Sequence, residues 1–133
     1  MEKDEKVEYW IEISEYDLKT ATAMLKTKRF LYVAFMCHQA IEKILKGHYV
    51  FIHSKTNPFT HNLTFLAKES GAYDLFSEEQ KNFIDLLEPL NIEARYPTYK
   101  EKLIQALNKK ESKKILSQTK DLHRWRKEKL LKK

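Results

Sequence analysis

Apolar side chains return along this chain at steps of three and four residues, the period of helices with one buried face. Val7, Trp10, Ser14, Asp17 with Leu18, Ala21 and Leu25 trace such a face through a first helix that should end near Lys26 to Arg29. The second helix, about Phe30 to His53, is dressed differently. Ala34, Cys37, Ile41, Ile44, Leu45 and Ile52 form one apolar side, and Leu31, Phe35 and Tyr49 form another. A helix apolar on more than one face is expected at the centre of a bundle, touching neighbours on both sides or a partner subunit.

Stop and start signals divide the remainder. Lys55-Thr56-Asn57-Pro58 reads as a loop, and Asn62 as the cap of a short third helix, Leu63 to Ser70, closed by Gly71. Ser77-Glu78-Glu79-Gln80 has the spacing of a capping box and opens a fourth helix through Phe83, Leu86, Leu87 and Leu90. Pro89 falls inside that pattern and predicts a kink. A further capping signal, Thr98-Tyr99-Lys100-Glu101, leaves Arg95 to Pro97 in a link. The closing helical segments run Leu103 to Leu107, then through Ile115, Leu116, Thr119, Leu122 and Arg126. No stretch alternates like a strand. The predicted fold is all-α, an antiparallel up-and-down bundle of four to six helices in a single domain spanning 1–133.

Composition agrees with this and narrows the setting. Two glycines and three prolines are too few for a protein built on many tight turns. The single Cys37 rules out an intramolecular disulfide, and its apolar neighbours suggest a reduced, buried thiol. The acidic, amphipathic start is unlike a signal peptide, and the longest apolar run, Phe30 to Cys37, is far shorter than the ~18 residues of a spanning helix. The expected location is the cytoplasm, with no membrane partner.

The net charge of +6 is unevenly spread. Residues 1–99 hold 12 Lys/Arg against 15 Asp/Glu, whereas residues 100–133 hold 13 against 4. Such a basic tail could attract nucleic acid or an acidic protein, or serve only as a solvated helix face. Arginine is scarce: there are four, and Arg95 stands between Glu93-Ala94 and Tyr96-Pro97-Thr98-Tyr99. Its planar fork can grip a phosphate or carboxylate through two parallel hydrogen bonds, a geometry lysine lacks. The alternative is a helix-ending turn with one internal ion pair.

His38, Glu42 and Lys46 recur every four residues and so form one polar stripe on the otherwise apolar second helix. A buried polar row needs partners, so the stripe must face a cleft, an interface or polar groups nearby. Glu42 with Lys46 also has the spacing of an ordinary helical ion pair. His61, in Thr60-His61-Asn62-Leu63, sits at a helix entrance, where a capping-region role competes with ligand contact. Trp10 and Trp125 read as core or interface anchors. No Glu-x-x-His repeat, His-Glu-x-x-His or paired cysteine motif occurs, so neither a metal nor a cofactor is expected. Glycines only at Gly47 and Gly71 exclude a glycine-rich phosphate loop.

Taken in order, four pieces of this sequence resemble the HEPN family of small helical domains. They are the Tyr9-Trp10 helix with Asp17-Leu18 and Ala21, and the run Cys37-His38-Gln39-Ala40-Ile41-Glu42-Lys43-Ile44-Leu45-Lys46. The Thr60-His61-Asn62-Leu63 turn and the block from Glu93 to Tyr99 complete the set. The resemblance covers nearly the whole chain. It implies an up-and-down helical bundle, commonly a homodimer, with the second and fourth helices near a shared cleft. Many members are metal-independent endoribonucleases or toxins, often paired with a small nucleotidyltransferase that serves as antitoxin.

The family's usual catalytic signature is an arginine followed four to six residues later by a histidine. Arg95 matches, but the window holds Lys100, Glu101 and Lys102. Attack by an RNA 2′-hydroxyl needs a proton acceptor and donor near neutral pH, a task suited to imidazole. The resemblance therefore implies a nucleotide- or partner-binding module rather than an ordinary ribonuclease. Arg95, Tyr96, Tyr99, His38, Glu42 and Lys46 are its candidate contacts, and the expected partners are a second copy, a cognate nucleotidyltransferase, and RNA or a nucleotide. In some related pairs the nucleotidyltransferase adenylylates a tyrosine near the motif, which makes Tyr99 the candidate acceptor. The alternative is a ribonuclease toxin with a rearranged site, in which Arg95 steadies the phosphate and His61 or His38 moves the proton.

Overall fold

The computed structural model of the chain describes residues 2–93 and 106–131. Among them all regular structure is helical: α1 (Lys3–Lys26), α2 (Phe30–His53), α3 (Leu63–Glu69), a 3-10 turn (Tyr73–Leu75), α4 (Glu78–Leu87), α5 (Leu90–Glu93) and α6 (Lys109–Leu131). Val7, Ile11, Ser14, Asp17 and Ala21 are the buried residues of α1, so its inward face keeps the three-four rhythm of the sequence. The α1–α2 turn places Lys28 in the left-handed region (φ 61°), which lets the Arg29 amide reach back to the Met24 carbonyl at 2.8 Å.

The buried residues of α2 lie on every side of it, which makes it the central helix. α1 runs against it in the opposite sense, since Gly47 meets Trp10 while the Lys43 ammonium holds the Asp17 carboxylate at 2.6 Å. A Cβ on Gly47 would come within 3.1 Å of the Trp10 Cβ, so the missing side chain lets the two helices close up. α6 runs in the same sense as α2, with Cys37 near Thr119, His48 near Arg126 and Gly47 near Leu130. That direction follows from α3 to α5, which carry the chain back along α2. His61 returns to Glu42, Glu88 to His38, and Asn91 to Gln39.

Local signals set these boundaries. Asn62 accepts the Phe65 amide at the start of α3, Gly71 turns left-handed after it (φ 80°), and Ser77 with Gln80 forms the expected capping box of α4. At Pro89 the predicted kink is a full break: α4 ends at Leu87 and α5 restarts at Leu90. Ile52 is a correction to the expected buried side of α2, being half-exposed. It lies in the last turn of α2, where the start of α1 covers the neighbouring Phe51 through Lys3 instead. No helix among the described residues is long and apolar enough to cross a membrane.

Candidate functional site

The stripe on α2 ends in a compact polar cluster where α3 and the end of α4 close over it. Glu42 is its hub, with a side chain only 3% exposed. One carboxylate oxygen accepts the Lys46 ammonium at 3.0 Å, and the other pairs with His61 Nδ1 at 2.9 Å. A carboxylate is acceptor-only when ionised, so Nδ1 carries a proton in this contact, and in the neutral ring Nε2 is then the acceptor. Lys46, also buried, rests its ammonium 5.6 Å from the centre of the Trp10 ring.

Glu88 forms the opposite wall. Its two oxygens accept the Leu63 and Thr64 amides at 3.0 and 3.2 Å, capping the first turn of α3 from another helix. Burial alone would raise its pKa, but the nearby His38 ring and those two amides hold the carboxyl below its ordinary value. His38 lies fully buried between the two carboxylates, 3.8 Å from Glu42 and 3.7 Å from Glu88. Neither ring nitrogen has a hydrogen-bond partner among the described residues, so its fit here is electrostatic.

Of the positions singled out by sequence, His38, Glu42, Lys46 and His61 therefore meet in one place. The first three are enclosed. His61 alone reaches solvent, with 57% of its side chain exposed. The competing reading of Glu42 and Lys46 as a helical ion pair holds as well, because the same carboxylate serves Lys46 and His61 together. Arg95, Tyr96 and Tyr99, with the Thr98 to Glu101 capping signal, lie outside the described residues.

Glu88 escaped the sequence reading. A lone glutamate before a proline gives no sign that it will cap a helix 25 positions earlier in the chain. Two further buried histidines also went unassigned. His123 Nε2 lies 2.7 Å from the Ser14 hydroxyl, whose proton goes to the Ile11 carbonyl, so the imidazole donates. His48 Nδ1 accepts from the Arg126 guanidinium at 3.1 Å. Arg126 is itself 1% exposed, stacked 4.2 Å from the Trp125 ring, and its Nε and Nη2 have no hydrogen-bond partner among the described residues. Burial lowers its pKa to about 10.

Cys37 is an enclosed thiol. Burial pushes it up to about 12 despite the opposing Thr119 hydroxyl and Lys120 charge, which removes the thiolate a nucleophile would need. Among the described residues no group of three His, Cys, Asp or Glu side chains converges to hold a metal ion.

These features define an all-helical bundle with a largely buried, carboxylate-centred polar cluster whose most exposed member is His61. The HEPN domain model matches residues 7–130, and the chain belongs to that family. Its fold is similar to the crystal structure of TT1696 from Thermus thermophilus, with a TM-score of 0.79 at 18% identity. That match covers 93% of this chain and 98% of the other. No curated protein matches the chain.

Proposed function

We propose that this chain is a nucleotide- or partner-binding module and the helical half of a toxin–antitoxin pair with a nucleotidyltransferase, acting as a homodimer. Arg95 holds the phosphate, or a partner's carboxylate, and His61 supplies a second polar contact. One observation carries the reading: among the described residues of the polar cluster His61 is the most exposed, and in the neutral ring its Nε2 is left as an acceptor by the Glu42 carboxylate behind it. An acceptor at the surface suits a ribose hydroxyl or a base amino group. Tyr96 and Tyr99 follow the arginine in sequence, and Tyr99 is the proposed site of adenylylation.

Calorimetric titration with AMP tests the binding site. Arg95→Ala should weaken affinity by about tenfold to a hundredfold, the loss of a charge-assisted contact, and His61→Ala by about tenfold. Unchanged affinity in both variants contradicts the reading. Mixing the protein with an active cognate nucleotidyltransferase and ATP should add an adenylate mass that Tyr99→Phe removes.

The Glu42–His61 contact also favours a second reading, a metal-independent endoribonuclease. A carboxylate fixing an imidazole in one tautomer is the arrangement that lets Nε2 take a hydroxyl proton. RNA cleavage in EDTA, lost on both Arg95→Ala and His61→Ala, would support it. Intact RNA at micromolar protein would count against it.

A further inference from the structure

The loop between α2 and α3 holds Phe59 wholly in solvent, at 100% exposure. Exposure of this kind is ordinary on a slack loop, but this segment is internally tied. The Thr60 amide bonds the Pro58 carbonyl at 3.1 Å, closing a γ-turn with Phe59 at its apex. Asn57 donates to the same carbonyl at 3.2 Å, and the Asn62 amide bonds the Thr60 hydroxyl at 3.1 Å. The backbone of the tip is therefore tied by hydrogen bonds, and the Phe59 side chain stands in solvent on it. Two residues further on, His61 is anchored to Glu42, so the Phe59 and His61 Cα atoms are at most ~7 Å apart.

We infer that Phe59 is a stacking platform for the nucleobase of a nucleotide or single-stranded RNA whose ribose lies at His61. The inference rests on the nucleotide-binding reading and adds the base to it. The composition of the loop favours this occupant. Its sequence neighbours in the loop are Lys55, Thr56, Asn57, Pro58, Thr60 and His61, which are mostly polar. A protein hot spot is usually enclosed by contacts that exclude water, whereas stacking needs only one accessible π face. The loop lysine, Lys55, favours an anionic ligand over an apolar one.

Titration with AMP and with ribose 5-phosphate separates base from phosphate. The wild type should bind AMP at least about tenfold more tightly than ribose 5-phosphate. Phe59→Ala should weaken AMP by about tenfold or more and leave ribose 5-phosphate unchanged, while Phe59→Trp keeps AMP affinity and its fluorescence is quenched by the base. The thermal midpoint of Phe59→Ala should match the wild type, because the ring is wholly in solvent. Equal binding of the two ligands, or AMP affinity indifferent to Phe59→Ala, overturns the base platform. The phosphate reading would then stand if His61→Ala still weakened ribose 5-phosphate. Failure of the wild type to bind either ligand overturns both. A dimer that dissociates on Phe59→Ala in sedimentation would assign the ring to contact between copies and overturn the inference.

Discussion

Glu42→Leu is expected to lower unfolding stability by about 3–5 kcal/mol, the loss typical when one partner of a buried ion pair is removed. The leucine is close to the right volume, so the effect does not come from a cavity. It comes from Lys46, which stays enclosed beside Trp10 with no counter-charge among the described residues. The loss is large against the roughly 5–15 kcal/mol that holds an ordinary domain folded. Adding Lys46→Met to Glu42→Leu should recover much of it, because an apolar pair tolerates burial where a lone ammonium does not. Urea denaturation of both single variants and the double variant measures the coupling directly. If Glu42→Leu is as stable as the wild type, Glu42 is not the hub described here.

Acid should be the second strong perturbation. Burial holds His123 down to about 4, with Lys127 adding to the shift and Glu15 opposing it. Burial, followed by the charge of Arg126, holds His48 down to about 4. Both lie well below the ordinary value near 6.5, so the unfolded chain binds these protons first. Their contribution is complete above about pH 6.5 and is lost as pH falls through about 4. At about 1.4 kcal/mol per unit, the two together account for several kcal/mol. Glu88, held low in the fold, adds a loss of the same sign at lower pH. Thermal midpoints should therefore fall steeply between about pH 7 and 4.5, and His123→Gln or His48→Gln should flatten the slope. A midpoint independent of pH across that range would contradict the burial of both rings as neutral imidazoles.

The parts of the fold legible in the sequence were those governed by neighbours along the chain. Ser77 and Gln80 close a capping box within four residues, Gly71 supplies a positive φ on its own, and the all-round apolar dress of α2 marks it as central whatever surrounds it. The site was legible only by half. Spacing put His38, Glu42 and Lys46 on one face, but the partner that gives the stripe an outlet, His61, comes from beyond the loop. Glu88 and the Arg126–His48 pair depend on contacts across 25 to 78 positions, for which neither periodicity nor residue type carries a signal. Arg126 even sat in the final helix's apolar stripe, where its burial was readable and its pairing with His48 was not.

The nitrogen shifts of the His61 ring test the central claim most directly. Proton-detected ¹⁵N spectra of the histidine side chains, recorded as AMP is added, should show Nδ1 protonated throughout and Nε2 moving with saturation. His48 and His123, enclosed between the long helices, should stay still. An Nε2 signal unmoved at millimolar AMP, or an Nδ1 without its proton in the free protein, would contradict a site built on the Glu42-held imidazole.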